Sequence, residues 1–494
     1  MPTDSARLHA VFDLAMRIGE GLLTNGAAAS EVTATVLRVT SSSGLRNVSV
    51  QVTFNEVTIS YLPDESATPF TRVRSASSRV QDFARLAAFE DITHQYISGE
   101  LPLNEARHQA ATIPQKQSLY RKPLVIAGFA VMGGAAALSF GAGTLVVAAA
   151  TLAAGLLIAL GELLARWNIP EFYAQVIGGF VAVGATVVVA LIDSSVNPSI
   201  VVVSCLIVQL AGLSSISAVQ DAVTGWYVTA AGRILETLML TVGIVAGVRG
   251  GIMLAEAIGA DISVTAAMPV TLTTAVVVVI SGLGMGLGYG VGTQVPWRLL
   301  PAAALIAAGS GLVAHLLTGL GLDRTYTVGI AAFAAGLIAT ALADRLRAPA
   351  LAFVMAGVIP LVPGSRIYRG LLGLGDDVSV GAAELLGAAE IAISIAAGVV
   401  LGQLLASRIM PYFRRSAIAY TPAISSPFTT LRRRRLSLGS RRLRRRHGAT
   451  VVEPSTMTGE MTALSPAMFE DPSFLEHLDP PTDHGGDSGR RIDP

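Results

Sequence analysis

Between Leu213 and Gly251 the chain places Gln220, Asp221, Thr224, Gly225, Thr229, Arg233 and Glu236 in a segment bounded on both sides by lipid-soluble sequence. Ionisable groups at the edge of a bilayer, or inside it, are expensive to desolvate and read first as functional. A second stretch, Ile359 to Leu374, has the same character. There an apolar run is broken by Pro360, Pro363 and Gly364 and followed by Arg366, Tyr368 and Arg369. The chemistry such groups offer is recognition of a small polar solute. Helix N-terminal amides attract a carboxylate, and carbonyls or Asp221 attract an ammonium. A carboxylate whose pKa rises on desolvation can carry a proton. The expectation is that the two interruptions face each other and bind one small polar substrate. Arg233 and Glu236, three apart on one helical face, can also simply pair.

The elements that must position these groups are membrane helices. The 494 residues are 52% hydrophobic and 14% charged, with a mean hydropathy of +0.59. A soluble chain carries roughly 25% charge. The deficit lies between Pro123 and Ala406, where apolar runs of about 20 residues recur, each long enough for a hydrocarbon core of roughly 30 Å. The fold class is a polytopic α-helical membrane protein with about ten spans: 123–140, 143–165, 175–192, 198–217, 234–258, 268–290, 299–319, 327–343, 349–363 and 382–406. These divide into two five-helix halves, 121–260 and 261–410, of opposite orientation. Each half opens on a Gly-rich span and carries a polar interruption at its fourth, as expected of an inverted-repeat transporter with its site at the repeat interface. Gly243, Gly247 and Gly251, like Gly282, Gly286 and Gly290, recur at helix-packing spacing. The run GLGMGLGYG lacks the strand and acidic residue of a dinucleotide site. Glu162, Arg249 and Glu256 are the other charges within spans.

With the N-terminus inside, Arg121, Lys122, Arg166, Arg233, Arg298, Arg345, Arg347, Arg408, Arg414 and Arg415 all fall on the cytoplasmic side, and only Arg324, Arg366 and Arg369 fall outside. Both termini are therefore expected in the cytoplasm. No secretory signal is expected, since the first hundred residues hold no continuous apolar core.

Residues 1–120 read as a small α+β domain. A helix carries Leu8 to Leu23, and Ser30 is placed to cap a second. Val48 to Phe54 and Val57 to Tyr61 form a hairpin turning at Asn55-Glu56, which pairs 54 with 57, 52 with 59 and 50 with 61. Val80, Phe83 and Leu86 suggest a further helix, and a last one follows Pro102. Glu20, Asn25, Asn55, Glu56, His94 and His108 make no catalytic or metal spacing, so the domain reads as a docking or solvated surface. Cys205, the only cysteine, reads as inert packing.

Residues 411–494 form a cytoplasmic tail, basic from Leu431 to Gly448 and then disordered in composition. The basic cluster is expected to lie on anionic lipid rather than nucleic acid. With no HExxH, GxSxG or P-loop, the chain lacks the parts of the usual metal, serine and phosphate chemistries and reads as a non-enzyme. A membrane hydrolase using the N-terminal domain and an uncoupled channel or scaffold are the alternatives to a carrier. Self-association is left open.

The segments LAMRIGEGLLTNGAAASEV, TFNEVTIS, VQDAVTGWYVTAAGRILETLMLTVGIVAGV and PLVPGSRIYRGLL together resemble the threonine/serine exporter family, in the family's order, over roughly residues 8 to 408. The resemblance implies a ten-span inner-membrane carrier with a cytoplasmic N-terminal domain. It further implies export of threonine, serine or a similar small amino acid, driven by protons and without a cofactor. The family's QDxxTG pattern falls on Gln220, Asp221, Thr224 and Gly225, and its following arginine and glutamate on Arg233 and Glu236. Its PGxxIYRG pattern falls on Pro363, Gly364, Ile367, Tyr368, Arg369 and Gly370. These positions are the candidates for substrate binding and coupling.

Overall fold

Hydrophobic periodicity changes twice along the chain, and the architecture changes with it. The computed structural model describes residues 2–63, 68–76, 80–193, 199–211, 215–257 and 272–409. The basic cluster and the rest of the 411–494 tail lie outside the described residues, as does the side chain of Glu256.

Two amphipathic helices open the chain, α1 (Pro2–Thr24) and α2 (Ala29–Ser42). A three-stranded antiparallel sheet follows in the order β1 (Val48–Thr53), β2 (Glu56–Tyr61) and β3 (Phe70–Ser75), then α3 (Phe83–Ser98) and α4 (Leu103–Thr112). Val52, Val57 and Ile59 point into a core with Phe12, Leu14, Ile18 and Leu22. The hairpin differs from the sequence expectation by two residues: Val52 pairs with Val57, Val50 with Ile59 and Val48 with Tyr61. A shift of two keeps every side chain on its expected face. The turn is Phe54-Asn55, with Phe54 in the left-handed region (φ +52°). Strand β3 carries no apolar alternation on its inner face because Arg72 and Arg74 stand opposite Ile59 and Val57. Arg74 reaches Glu20 on α1 at 2.7 Å, so an ion pair covers what an apolar residue would otherwise fill. Val80 lies outside α3, which begins later because Asp82 caps it, accepting from the Arg85 amide at 3.0 Å. Ser30 does not cap α2; the N-cap residue is Ala28, which has no side-chain acceptor.

The longer elements that follow among the described residues are helices: α5 (Lys122–Ser139), α6 (Thr144–Arg166), α7 (Glu171–Ile192), α8 (Ser199–Ala211), α9 (Ser215–Val223), α10 (Tyr227–Ala257), α11 (Leu272–Gly292), α12 (Leu300–Gly319), α13 (Arg324–Leu346), α14 (Ala350–Val358), α15 (Gly364–Asp376) and α16 (Val378–Ile409). Among the described residues, eight helices are long and apolar enough to cross a membrane, and nine if the pair bent by 51° at Val362-Pro363 counts as one. The protein is thus a multi-pass helical membrane protein. The sequence count of ten differs at two places. The expected fourth span is a short apolar helix, α8, followed by the polar α9, and the ninth is the bent pair, where Pro360 and Pro363 remove backbone donors.

One neighbour pattern recurs in both membrane parts. α5 packs on α6, α6 on α7, α7 on α8 and α10, and α9 on α10. In the second part α11 packs on α12, α12 on α13, α13 on α14 and α16, and α15 on α16. Close approach rests on the glycine rows. A Cβ at Gly286 would lie 2.7 Å from Ala304 Cα of α12, and one at Gly243 would lie 2.8 Å from Phe172 O of α7. The two parts meet along α5 and α11, with further contacts of α8 on α15 and α9 on α16.

Candidate functional site

The motif around Gln220 is first a helix terminator. Gly225 takes the left-handed conformation (φ +91°). The Trp226 amide donates to Asp221 O at 2.8 Å and the Gly225 amide to Ala222 O at 3.2 Å, which closes α9 in a Schellman arrangement. The Thr224 hydroxyl donates back to Gln220 O at 2.8 Å. This stop turns the chain so that α9 and the start of α10 lie side by side, and Asp221 meets Arg233. Their side chains pair at 2.6 Å, with 0% and 1% exposure. Glu236, whose pairing with Arg233 was one reading of the sequence, lies one turn along α10, where its charge acts on Arg233 and on Glu171.

The buried pair grips the N-terminal domain. Asp221 Oδ1 accepts from the Ala29 amide at 2.8 Å, and Arg233 Nη2 donates to Ala27 O at 3.1 Å. An α-helix leaves its first amides without partners, and α2, begun by alanines, has no acceptor of its own. Asp221 supplies that acceptor as an anion at a helix N-terminus, the favourable sign for the helix dipole. Further bonds follow around it. Ser217 Oγ donates to Gly26 O at 3.3 Å, Thr229 Oγ1 donates to Val52 O at 2.8 Å, and the Phe54 amide donates to Thr229 Oγ1 at 3.3 Å. The Phe54 ring lies against Gly232, where a Cβ would come within 2.9 Å of it. A second seat lies at the end of α11. Tyr289 donates to Gln81 at 3.1 Å, the Phe83 amide donates to Thr293 O at 3.0 Å, and the Tyr120 amide donates to Gln294 at 2.7 Å. Burial lifts the Glu31 carboxyl on α2 above its ordinary range; Arg38 opposes the shift and Asp221 adds to it.

The second interruption builds a different neighbourhood. Pro363 precedes α15 and Gly364 begins it, and a Cβ at Gly364 would lie 2.8 Å from Ile207 Cγ1 of α8. Tyr368 is fully buried and faces Ser199 at the start of α8. Arg369 and Arg366 reach Glu384 of α16 at 3.3 and 3.9 Å, all three partly exposed. The structure brings α15 against α8 and against α10, but not the charged residues of the two interruptions against each other. Their charged residues form separate groups: Asp221 and Arg233 beneath the N-terminal domain, Arg366 and Arg369 with Glu384. Glu162, a candidate charge within a span, pairs with Lys122 on the surface.

Sequence reasoning passed over the partners of the buried pair. Ala27 and Ala29 act through backbone atoms and carry no side-chain signal. Helix α2 begins one residue before Ser30, so its cap position falls on Ala28 and the acceptor must come from elsewhere in the fold. Among the described residues no cluster of His, Cys, Asp or Glu could hold a metal ion.

Two family models match the chain: one described as "Putative threonine/serine exporter" over residues 13–255, and one described as "Threonine/Serine exporter, ThrE" over residues 274–405. A relative from Corynebacterium glutamicum, named "Threonine/serine exporter", is 32% identical over 82% of this chain and 84% of its own length. A second, from Mycobacterium tuberculosis and named "Probable threonine/serine exporter", is 30% identical over 82% of this chain and 78% of its own. No solved structure matches the chain significantly. The two matched ranges contain both interruptions, with Asp221 and Arg233 in the first and Tyr368 and Arg369 in the second, and the chain belongs to the threonine/serine exporter family.

Proposed function

We propose that this protein is a secondary active exporter of threonine and serine in the cell's inner membrane, driven by the proton gradient. It has cytoplasmic termini and alternates access at a site between its two membrane halves. The observation that carries the reading is the repeated neighbour pattern, in which each half has its broken element at the same place between the third helix and the last. Inverted repeats with discontinuous helices at their interface are the architecture of many secondary carriers. The names of the two relatives supply the substrate class. In this reading α7, α8, α9, α10 and α15 border the solute path, with Gln220, Thr224, Glu236, Tyr368 and Arg369 as the polar groups along it. The Asp221–Arg233 pair ties the N-terminal domain to the cytoplasmic mouth, so release of that domain can be coupled to opening.

The test is efflux. Cells loaded with threonine- or serine-containing peptides should lose the free amino acid faster when they make this protein, and an uncoupler should remove the difference. Unchanged efflux of every amino acid assayed rejects the reading.

A further inference from the structure

Three hydroxyls in the first membrane half satisfy themselves on their own helices. Thr151 donates to Val147 O, Thr186 to Ala182 O and Ser204 to Ile200 O, each within 2.9 Å. Gln209 on α8 does not. It is 5% exposed, and neither its Nε2 nor its Oε1 finds a partner among the described residues. A buried amide without partners is costly, and more so where lipid rather than water surrounds the bundle.

The amide has a prepared seat. It lies over the bare Cα of Gly178 on α7, where any side chain would collide with Nε2, beside Leu157 of α6. The neighbouring Gly179 has a separate role, since a Cβ there would meet the backbone of α10, 2.7 Å from the Val248 amide. One glycine of the pair thus serves helix packing and the other makes room for Gln209.

We propose that Gln209 is a substrate-binding residue and that its amide reads the side-chain hydroxyl of the transported amino acid. A neutral carboxamide offers a donor and an acceptor together. A hydroxyl matches both, whereas a carboxylate uses only the donor and an ammonium only the acceptor. The surrounding apolar wall makes a missing partner count, so a ligand lacking the hydroxyl leaves the amide unpaired. This deepens the export reading and rests on it.

The experiment uses the purified full chain in proteoliposomes and measures counterflow of four amino acids: threonine against its near-isostere valine, and serine against alanine. Wild-type protein should prefer the hydroxylated member of each pair. Gln209→Met should lower that preference about tenfold, the size of one neutral hydrogen bond, by raising KM for threonine and serine while leaving valine and alanine unchanged. Gly178→Ala keeps the amide but displaces it and should lower the preference in the same direction; it carries the comparison if Gln209→Met does not reach the membrane folded. Wild-type preference retained in the folded variant overturns the assignment of Gln209 and leaves export intact. Wild-type protein that moves none of the four overturns both.

Discussion

Asp221 Oδ1 lies 2.8 Å from the amide of Ala29, a residue 192 positions earlier in the chain. A carboxylate on a membrane helix thereby caps a helix of the N-terminal domain, and Arg233 holds that carboxylate from behind while bonding Ala27 O. The most conspicuous polar motif of the sequence is therefore a joint between the two parts of the chain.

Removing one partner of a buried pair strands the other. Asp221→Ala should destabilise the detergent-solubilised protein by about 3–5 kcal/mol. Adding Arg233→Met to Asp221→Ala should recover part of that loss, because neither charge is then left buried. Chemical denaturation of the two single variants and the double variant checks the cycle; strictly additive losses would contradict the pairing.

Glu31 gives the joint a pH dependence. Its carboxyl is raised by burial, with Asp221 adding to the shift and Arg38 opposing it. Because Asp221 of the membrane part contributes to that rise, the docked state binds this proton more tightly than one from which Asp221 has withdrawn. Docking is strongest below the carboxyl's ordinary range and weakens as pH rises through the raised value. Hydrogen exchange at 29–36 should increase with pH across that window in the wild type. Glu31→Gln should flatten the profile and leave the amides more protected at neutral pH.

At the hairpin tip Phe54 packs on Gly232. Gly232→Ala should weaken the seat by about 1–3 kcal/mol through overpacking, read as faster exchange in β1 and β2. Adding Phe54→Ala should relieve the clash and restore part of the protection.

Much of this fold was legible because its signals are local. The apolar runs marked most of the membrane helices to within a few residues, though α8 ends and α10 begins well before the expected bounds, and period-two alternation placed β1 and β2 on their correct faces. The hairpin register was lost because Phe54 looks like a strand residue but is held in the turn by Thr229 and Gly232, which lie far away in sequence. Strand β3 was hidden by arginines at inward positions whose partners are on α1. The motif around Asp221 was legible as special but not as a joint, since it acts on backbone atoms of alanines. Gln209 carried no signal at all: one glutamine in an apolar run looks ordinary until its seat proves to be a glycine and a leucine.

The outer charge cluster should behave differently from the inner one. Arg366, Arg369 and Glu384 are each more than a quarter exposed. Glu384→Gln should change stability by less than about 1 kcal/mol, measured beside Asp221→Ala in the same denaturation series. A loss as large as that of Asp221→Ala would contradict this placement.

Uphill transport by the purified protein tests the account most directly. In proteoliposomes holding equal threonine on both sides, an imposed proton gradient should drive threonine to accumulate on one side, and collapsing the gradient with an ionophore should return it to equality. Threonine that stays equal across the membrane with the gradient intact would contradict the central claim.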